Sequence, residues 1–319
     1  MSSLNSSCYA NEVALENGTV KFAFKAAAGA RDTVVLFTGF NAKRGGYLPW
    51  MAEAAQDGHN LLIVPLPSAT DLTFYSTYEN AISDFIMDDS SPLFQLVDPA
   101  LPKRAAAHSS GSLCINTLLH NAPFRDKFED TFESLIDISP FWGATGGSNP
   151  IGRKLYDWHA NGSSDMIAGT HWMDRAFCAL KGGEQVQSSE YFDPPPTHGQ
   201  ILRLIAEGEI LREQGLAEID MPRALYLGEK DPFVSKRIAT RLSEAAGHTI
   251  VIAKGAQHNA FLEDTDKERL RLMLNGDFAA AQALNPPEPS RRWSIPFIGR
   301  GKTETAQEAQ TVTPVPAHG

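Results

Sequence analysis

Two continuous apolar runs, Thr33-Val34-Val35-Leu36-Phe37 and Asn60-Leu61-Leu62-Ile63-Val64, constrain this chain more than any other feature. A strand with one wet face alternates apolar and polar residues. A strand without that alternation has to be covered on both faces, as in a parallel sheet sandwiched between helices. Leu135–Ile138, Ala224–Leu227 and Thr249–Ile252 are further candidates for buried strands. Helical patterns separate some of these runs. Residues around Leu48 to Gln56 read as a crossover helix, and Tyr78, Ala81, Ile82, Phe85 and Ile86 form one helical stripe at i, i+3, i+4, i+7 and i+8. Strands alternating with helices imply right-handed βαβ units. The expected class is therefore α/β, with a mostly parallel, doubly wound sheet.

The chain should enter this sheet through a hairpin. Val13 and Leu15 precede Asn17-Gly18, and Val20, Phe22 and Phe24 then alternate with polar or small residues. Asn-Gly supplies the positive φ angles of a tight hairpin turn. The βα alternation fails between about Ser139 and Met221, a stretch too long for a simple crossover. It holds Trp142, Trp158, Trp172 and the run Pro194-Pro195-Pro196, and a helix is expected around Gln200–Glu213. We read residues 139–221 as an inserted helical cap, 1–138 with 222–284 as the core, and the Pro-, Thr-, Gln- and Ala-rich residues 285–319 as a disordered tail.

Composition excludes several function classes. With 319 residues, 42% hydrophobic and 21% charged, the chain can build a substantial core. A net charge of -10, with no basic stripe in the first 285 positions, argues against a nucleic-acid partner. The three cysteines, Cys8, Cys114 and Cys178, are odd in number and lack C-x-x-C spacing, so reduced thiols are expected instead of a disulfide frame or a metal site. The start, Met1-Ser2-Ser3-Leu4-Asn5, has neither the basic nor the apolar region of a signal peptide, and no apolar run is long enough to span a bilayer. A cytoplasmic location is expected, peripheral to the membrane if the tail engages it.

One short segment carries the chemistry. Lys103-Arg104-Ala105-Ala106-Ala107-His108 leads through Ser109-Ser110-Gly111-Ser112 into Leu113, Ile115, Leu118 and Leu119. Strand, serine turn and apolar helix follow in the order of a nucleophile elbow. That turn crowds the residues two before and two after the nucleophile, so both must be small. Ala107 and Gly111 meet the condition around Ser109, whereas Ser110 would be flanked by His108 and Ser112. The same string also reads as a Ser-rich helix start with Ser109 or Ser110 as N-cap, and Ala105–Ala107 is a poor strand former.

A serine hydroxyl needs a base, and the base needs an acid to fix its tautomer. In sheets with such an elbow the chain order is Ser, Asp or Glu, then His. Downstream, Ala224–Leu227 ends in the tight turn Gly228-Glu229-Lys230-Asp231-Pro232, and Thr249–Ile252 leads through Gly255-Ala256-Gln257 to His258. Both residues follow strand ends, where side chains project into the crevice at the carboxyl edge of the sheet. Asp231 is the expected acid and His258 the base. Glu229 is the alternative acid, and Asp137 a weaker one. The oxyanion donors are expected to be the backbone N–H of Phe40, in the loop Thr38-Gly39-Phe40-Asn41, and that of Ser110, at the helix start. Such chemistry needs no metal or organic cofactor.

Together these segments resemble the α/β-hydrolase superfamily, and within it the lysophospholipase and monoacylglycerol lipase group, over roughly positions 12 to 275. The resemblance rests on Thr38-Gly39-Phe40, His108-Ser109-Ser110-Gly111, Ile138-Ser139-Pro140, Gly228-Glu229-Lys230-Asp231-Pro232 and Gly255-Ala256-Gln257-His258. It implies an α/β-hydrolase fold and hydrolysis of a carboxylic ester, often of a lipid acyl group. Three departures touch the pocket mouth. Thr38-Gly39 stands where the family has His-Gly. Pro65-Leu66-Pro67-Ser68-Ala69-Thr70-Asp71 replaces a Gly-His-Gly-x-Ser loop, and Ala107 and Ser112 stand where glycines are usual.

The expected partner is thus a small-molecule or lipid-like ester. A catalytically silent binding protein on the same fold, an amide or thioester hydrolase and an acyltransferase are the alternatives. Trp142, Tyr156, Trp158, Met166, Trp172, Met173 and Phe177 supply apolar surface either for a core of the cap or for an acyl pocket. In the tail, Arg291-Arg292-Trp293-Ser294-Ile295-Pro296-Phe297-Ile298-Gly299-Arg300-Gly301-Lys302 pairs cations with aromatic and aliphatic side chains. That composition suits weak contact with a membrane surface.

Overall fold

The computed structural model describes residues 11–15, 18–39, 57–64, 74–142, 207–231, 234–258 and 264–285. The chain divides into two units, Met1–Pro286 and Pro287–Gly319, and every described residue lies in the first. Among the described residues eight strands form one sheet: β1 (Asn11–Leu15), β2 (Gly18–Lys25), β3 (Asp32–Phe37), β4 (His59–Val64), β5 (Lys103–His108), β6 (Ser134–Ile138), β7 (Arg223–Gly228) and β8 (Thr249–Ala253). Their spatial order is β1-β2-β4-β3-β5-β6-β7-β8. The β1–β2 and β2–β4 pairs are antiparallel and every later pair is parallel.

The apolar runs are continuous because the sheet has two cores. Successive side chains of a strand point to opposite faces. Val35, Phe37, Leu62, Val64, Leu225 and Leu227 face one core. Val34, Leu36, Leu61, Ile63, Ala224 and Tyr226 face the other. The helix Phe74–Met87 covers the first face with Ile82, Phe85 and Ile86, all fully buried. The helices Ser110–Leu118, Ala122–Thr131 and Lys236–Ala245 supply Leu113, Ile115, Phe124, Phe128, Ala239 and Leu242 to that core. Asp264–Leu274 and Phe278–Ala283 contribute Leu270, Met273, Leu274 and Ala281 to the second. Each large side chain so buried is worth roughly 1.5–3 kcal/mol.

Five local expectations need correction or lie out of reach. Leu15 pairs with Gly18, so Gly18 opens β2 instead of sitting within the hairpin loop. Thr249–Ile252 is only partly buried, although Ile250 packs against the first core and Val251 lies in the second. Among the described residues β8 is an edge strand with β7 as its one neighbour, and Thr249 is exposed while Ile250 and Ile252 are half-buried. Ala105–Ala107, poor strand formers, are buried in the middle of the sheet because β3 and β6 supply hydrogen bonds on both sides. The helix expected at Leu48–Gln56 lies outside the described residues. So does most of the expected cap, at 143–206. From that region, residues 207–214 are helical and Trp142 is buried in the core of the first face.

Candidate active site

The carboxyl edge of the sheet brings three loops together. At the end of β5, Ser109 adopts φ 53° and ψ -117°, a conformation that costs a non-glycine residue of order 1–3 kcal/mol and marks a sharp strand-to-helix turn. The surrounding backbone holds it there. Ser109 N–H donates to Ile138 O at 2.9 Å, and Phe141 N–H donates to Ser109 O at 3.1 Å. A β-carbon on Gly111 would sit 2.4 Å from Thr38 O and 2.6 Å from Phe37 O, so no larger residue fits two positions after the serine. Ser109 is half-exposed, whereas its neighbours His108 and Ser110 are buried.

Asp231 and His258 arrive from the ends of β7 and β8. Their side chains meet in one line with Ser109. Its hydroxyl donates to His258 Nε2 at 2.9 Å, and His258 Nδ1–H donates to Asp231 Oδ2 at 2.8 Å. The other carboxylate oxygen of Asp231 accepts the Val234 N–H at 3.0 Å, which fixes the acid from below. With Nδ1 committed to the carboxylate, the Nε2 lone pair faces the serine, as a general base requires.

The close approach of the β7 and β8 loops rests on Gly228. Its β-carbon would lie 2.3 Å from Gln257 O and 2.7 Å from Ala256 O. With hydrogen there instead, Lys230 N–H reaches Ala256 O and Glu229 N–H reaches Ala253 O, each at 2.9 Å. The alternative acids have other partners. Glu229 accepts the Gly255 N–H at 3.1 Å. Asp137 is fully buried and accepts from Ser112 Oγ at 2.6 Å, Asn116 Nδ2 at 2.9 Å and Arg223 Nη2 at 3.2 Å. Burial pushes the Asp137 carboxyl up, against the pull of Arg223.

Of the expected oxyanion donors, Ser110 heads the helix Ser110–Leu118, where the first N–H groups have no intrahelical acceptor. Phe40 lies outside the described residues. Gly39 does run against the elbow, since a β-carbon there would be 3.1 Å from Ser109 Cβ and 3.0 Å from His108 Nδ1.

Two features carry no local sequence signal. His59, at the opposite, amino end of β4, also pairs with a buried carboxylate, Asp32. Its Nε2 meets Arg31 and Asn275, where His258 meets a hydroxyl, so it is a structural pair. His108, directly before the nucleophile, donates Nε2–H to the backbone oxygen of His258 at 3.2 Å. Burial, and next the neighbouring His258, lower its pKa to about 3.

Strand order, elbow and the three convergent loops settle the architecture. The fold is that of the α/β-hydrolases. Solved α/β-hydrolase structures superpose over most of the chain. A soluble variant of monoglyceride lipase from Saccharomyces cerevisiae, in complex with a substrate analogue, matches with TM-score 0.64 and 12% identity, covering 90% of this chain and 99% of that one. A thermostable carboxyl esterase from Bacillus coagulans matches with TM-score 0.60 and 15% identity, covering 84% and 98%. Monoacylglycerol lipase from Paleococcus ferrophilus matches with TM-score 0.58 and 15% identity, covering 82% and 98%. No family model and no curated protein matches the chain.

Proposed function

We propose that this chain is a serine hydrolase that cleaves a carboxylic ester through an acyl-enzyme on Ser109, with His258 as general base and Asp231 as triad acid. The observation that carries the reading is the unbroken line from Ser109 Oγ through His258 to Asp231 Oδ2, set on a serine held at positive φ. Ser109 Oγ attacks the ester carbonyl as its proton passes to His258 Nε2, and Asp231 steadies the imidazolium. The N–H groups of Ser110 and Phe40 are the proposed stabilisers of the tetrahedral oxyanion. Such donors are each worth about 2.7–4 kcal/mol. His258 then protonates the leaving alcohol, and water, deprotonated by the same imidazole, releases the acid.

The proposed substrate is a lipid-like acyl ester. The monoglyceride and monoacylglycerol lipases among the structural neighbours make monoglycerides the first class to assay. Residues 139–221 are proposed as a cap over the site. The tail patch Arg291–Lys302 is proposed to touch an anionic membrane surface, and no helix among the described residues is long and apolar enough to cross a membrane.

Initial rates on p-nitrophenyl esters of two to twelve carbons, and on a monoglyceride, test the substrate reading. The expected result is higher kcat/KM for medium and long acyl chains. A strong preference for acetate contradicts a lipid-like substrate. Cleavage of none of them favours the silent binding protein.

A further inference from the structure

The base has to travel to reach the nucleophile. β8, which launches the His258 loop, lies three strand spacings from β5, or about 14 Å across the sheet. The loop is pinned part-way by its backbone contact with Gly228 at the end of β7. Beyond that point it has to dock on β5 with its imidazole in register with Ser109. The residue it meets there is His108.

His108 is the last residue of β5 and is almost fully buried. Its side chain reaches the loop after β8 and the residue Gly39 after β3. Nε2 lies 3.2 Å from His258 O, and the two rings stand 5.1 Å apart at 46°. On the other edge Nδ1 faces Gly39, where even a β-carbon would come within 3.0 Å.

We propose that His108 is a positioning residue for the base: by donating Nε2–H to the His258 backbone carbonyl it fixes the end of the β8 loop against the elbow, while its other edge sets the approach of the loop after β3. A carbonyl oxygen only accepts, so Nε2 carries the hydrogen and Nδ1 presents a lone pair toward Gly39. Burial lowers the pKa of the ring to about 3 and keeps it neutral through the working pH range. Neutrality suits the place, because His258 itself becomes a cation during each turnover, and a second cation beside it would oppose that step. A ring that only filled space would not need its nitrogen aimed at a main-chain acceptor 150 positions away.

The catalytic part of this inference rests on the proposed serine hydrolase, and its test separates the two. His108→Leu keeps volume and removes the donor. His108→Gln keeps a donor at about the Nε2 position, whereas His108→Asn keeps one that stops short of it. Hydrogen exchange across residues 254–258 reads the clamp whether or not the chain hydrolyses anything. Faster exchange is expected there in the Leu and Asn variants, with parent-like protection in Gln. In ester hydrolysis, kcat should fall roughly 30- to 100-fold in Leu with KM within threefold, as for a misplaced base. Gln should recover at least tenfold over Leu. If Leu fails to fold, Gln should exceed Asn by the same margin.

Unchanged exchange in folded Leu or Asn variants, or equal kcat in Gln and Asn, would overturn the clamp while leaving the triad standing. Exchange that follows the donor in a parent chain that cleaves no ester would overturn the hydrolase and leave the clamp.

Discussion

Replacing Gly228 by alanine puts the close approach of the β7 and β8 loops to the test. The new β-carbon would lie 2.3 Å from Gln257 O and 2.7 Å from Ala256 O, both main-chain atoms next to His258. A carbon–oxygen contact is comfortable at about 3.3 Å, so the base's loop must retreat by about 1 Å. That retreat strains the hydrogen bonds Lys230 N–H to Ala256 O and Glu229 N–H to Ala253 O, each contributing about 0.5–1.5 kcal/mol. Overpacking adds about 1–3 kcal/mol. The gain from a less flexible unfolded chain is about 0.4–1 kcal/mol and does not offset it. A displacement of about 1 Å in a catalytic group costs roughly 100-fold in rate, or about 2.7 kcal/mol of barrier. Gly228→Ala should therefore lose about two orders of magnitude in kcat on a p-nitrophenyl ester, with a thermal midpoint lowered by about 2 °C for each kcal/mol of net cost in a domain of this size. Full activity and an unchanged midpoint would refute the claim that this glycine sets the distance between acid and base.

The other predictions concern stability and the tail. His108 and His248 are buried with pKa values lowered to about 3, chiefly by desolvation, and next by His258 and Arg223 respectively. Between pH 6.5 and 3 the unfolded chain therefore binds more protons, and stability falls as pH falls, by about 2 kcal/mol per histidine between pH 7 and 5. The Asp137 carboxyl, pushed up by burial, binds its proton first in the folded state and offsets this loss at the acid end. Urea midpoints against pH measure the slope, and His248→Leu should about halve it. Arg223→Met strands the Asp137 carboxylate in the core at a cost of about 3–5 kcal/mol, and adding Asp137→Leu should recover most of it in urea unfolding. The full chain should sediment with anionic liposomes at low salt and a chain ending at Asn285 should not, a contrast that equal binding by both would contradict.

Much of this architecture was legible because its causes are local. Val34 to Phe37 and Leu61 to Val64 show no alternation, since each strand serves two cores. Ser109, Asp231 and His258 each stand just past a strand end, and a parallel sheet gathers such residues at one edge. What escaped depends on contacts between distant parts of the chain. The alanines of β5 are strand only because β3 and β6 flank them. Thr249–Ile252 reads like a fully buried strand, yet nothing in its own composition says that, among the described residues, no strand pairs beyond it. Trp142 reads as part of a core of the cap or of an acyl pocket but packs in the first core. Gly228 and His108 matter through the backbone of a loop that begins after residue 253, and no spacing along the chain announces such a crossing.

The central claim is that Ser109 is an activated nucleophile. Its most direct test is the intact mass of the protein after incubation with a fluorophosphonate, for the parent chain and for Ser109→Ala. The account predicts a single adduct on the parent, mapped to Ser109, and none on a folded Ser109→Ala variant. An unlabelled parent, or an adduct that persists in the variant, would contradict it.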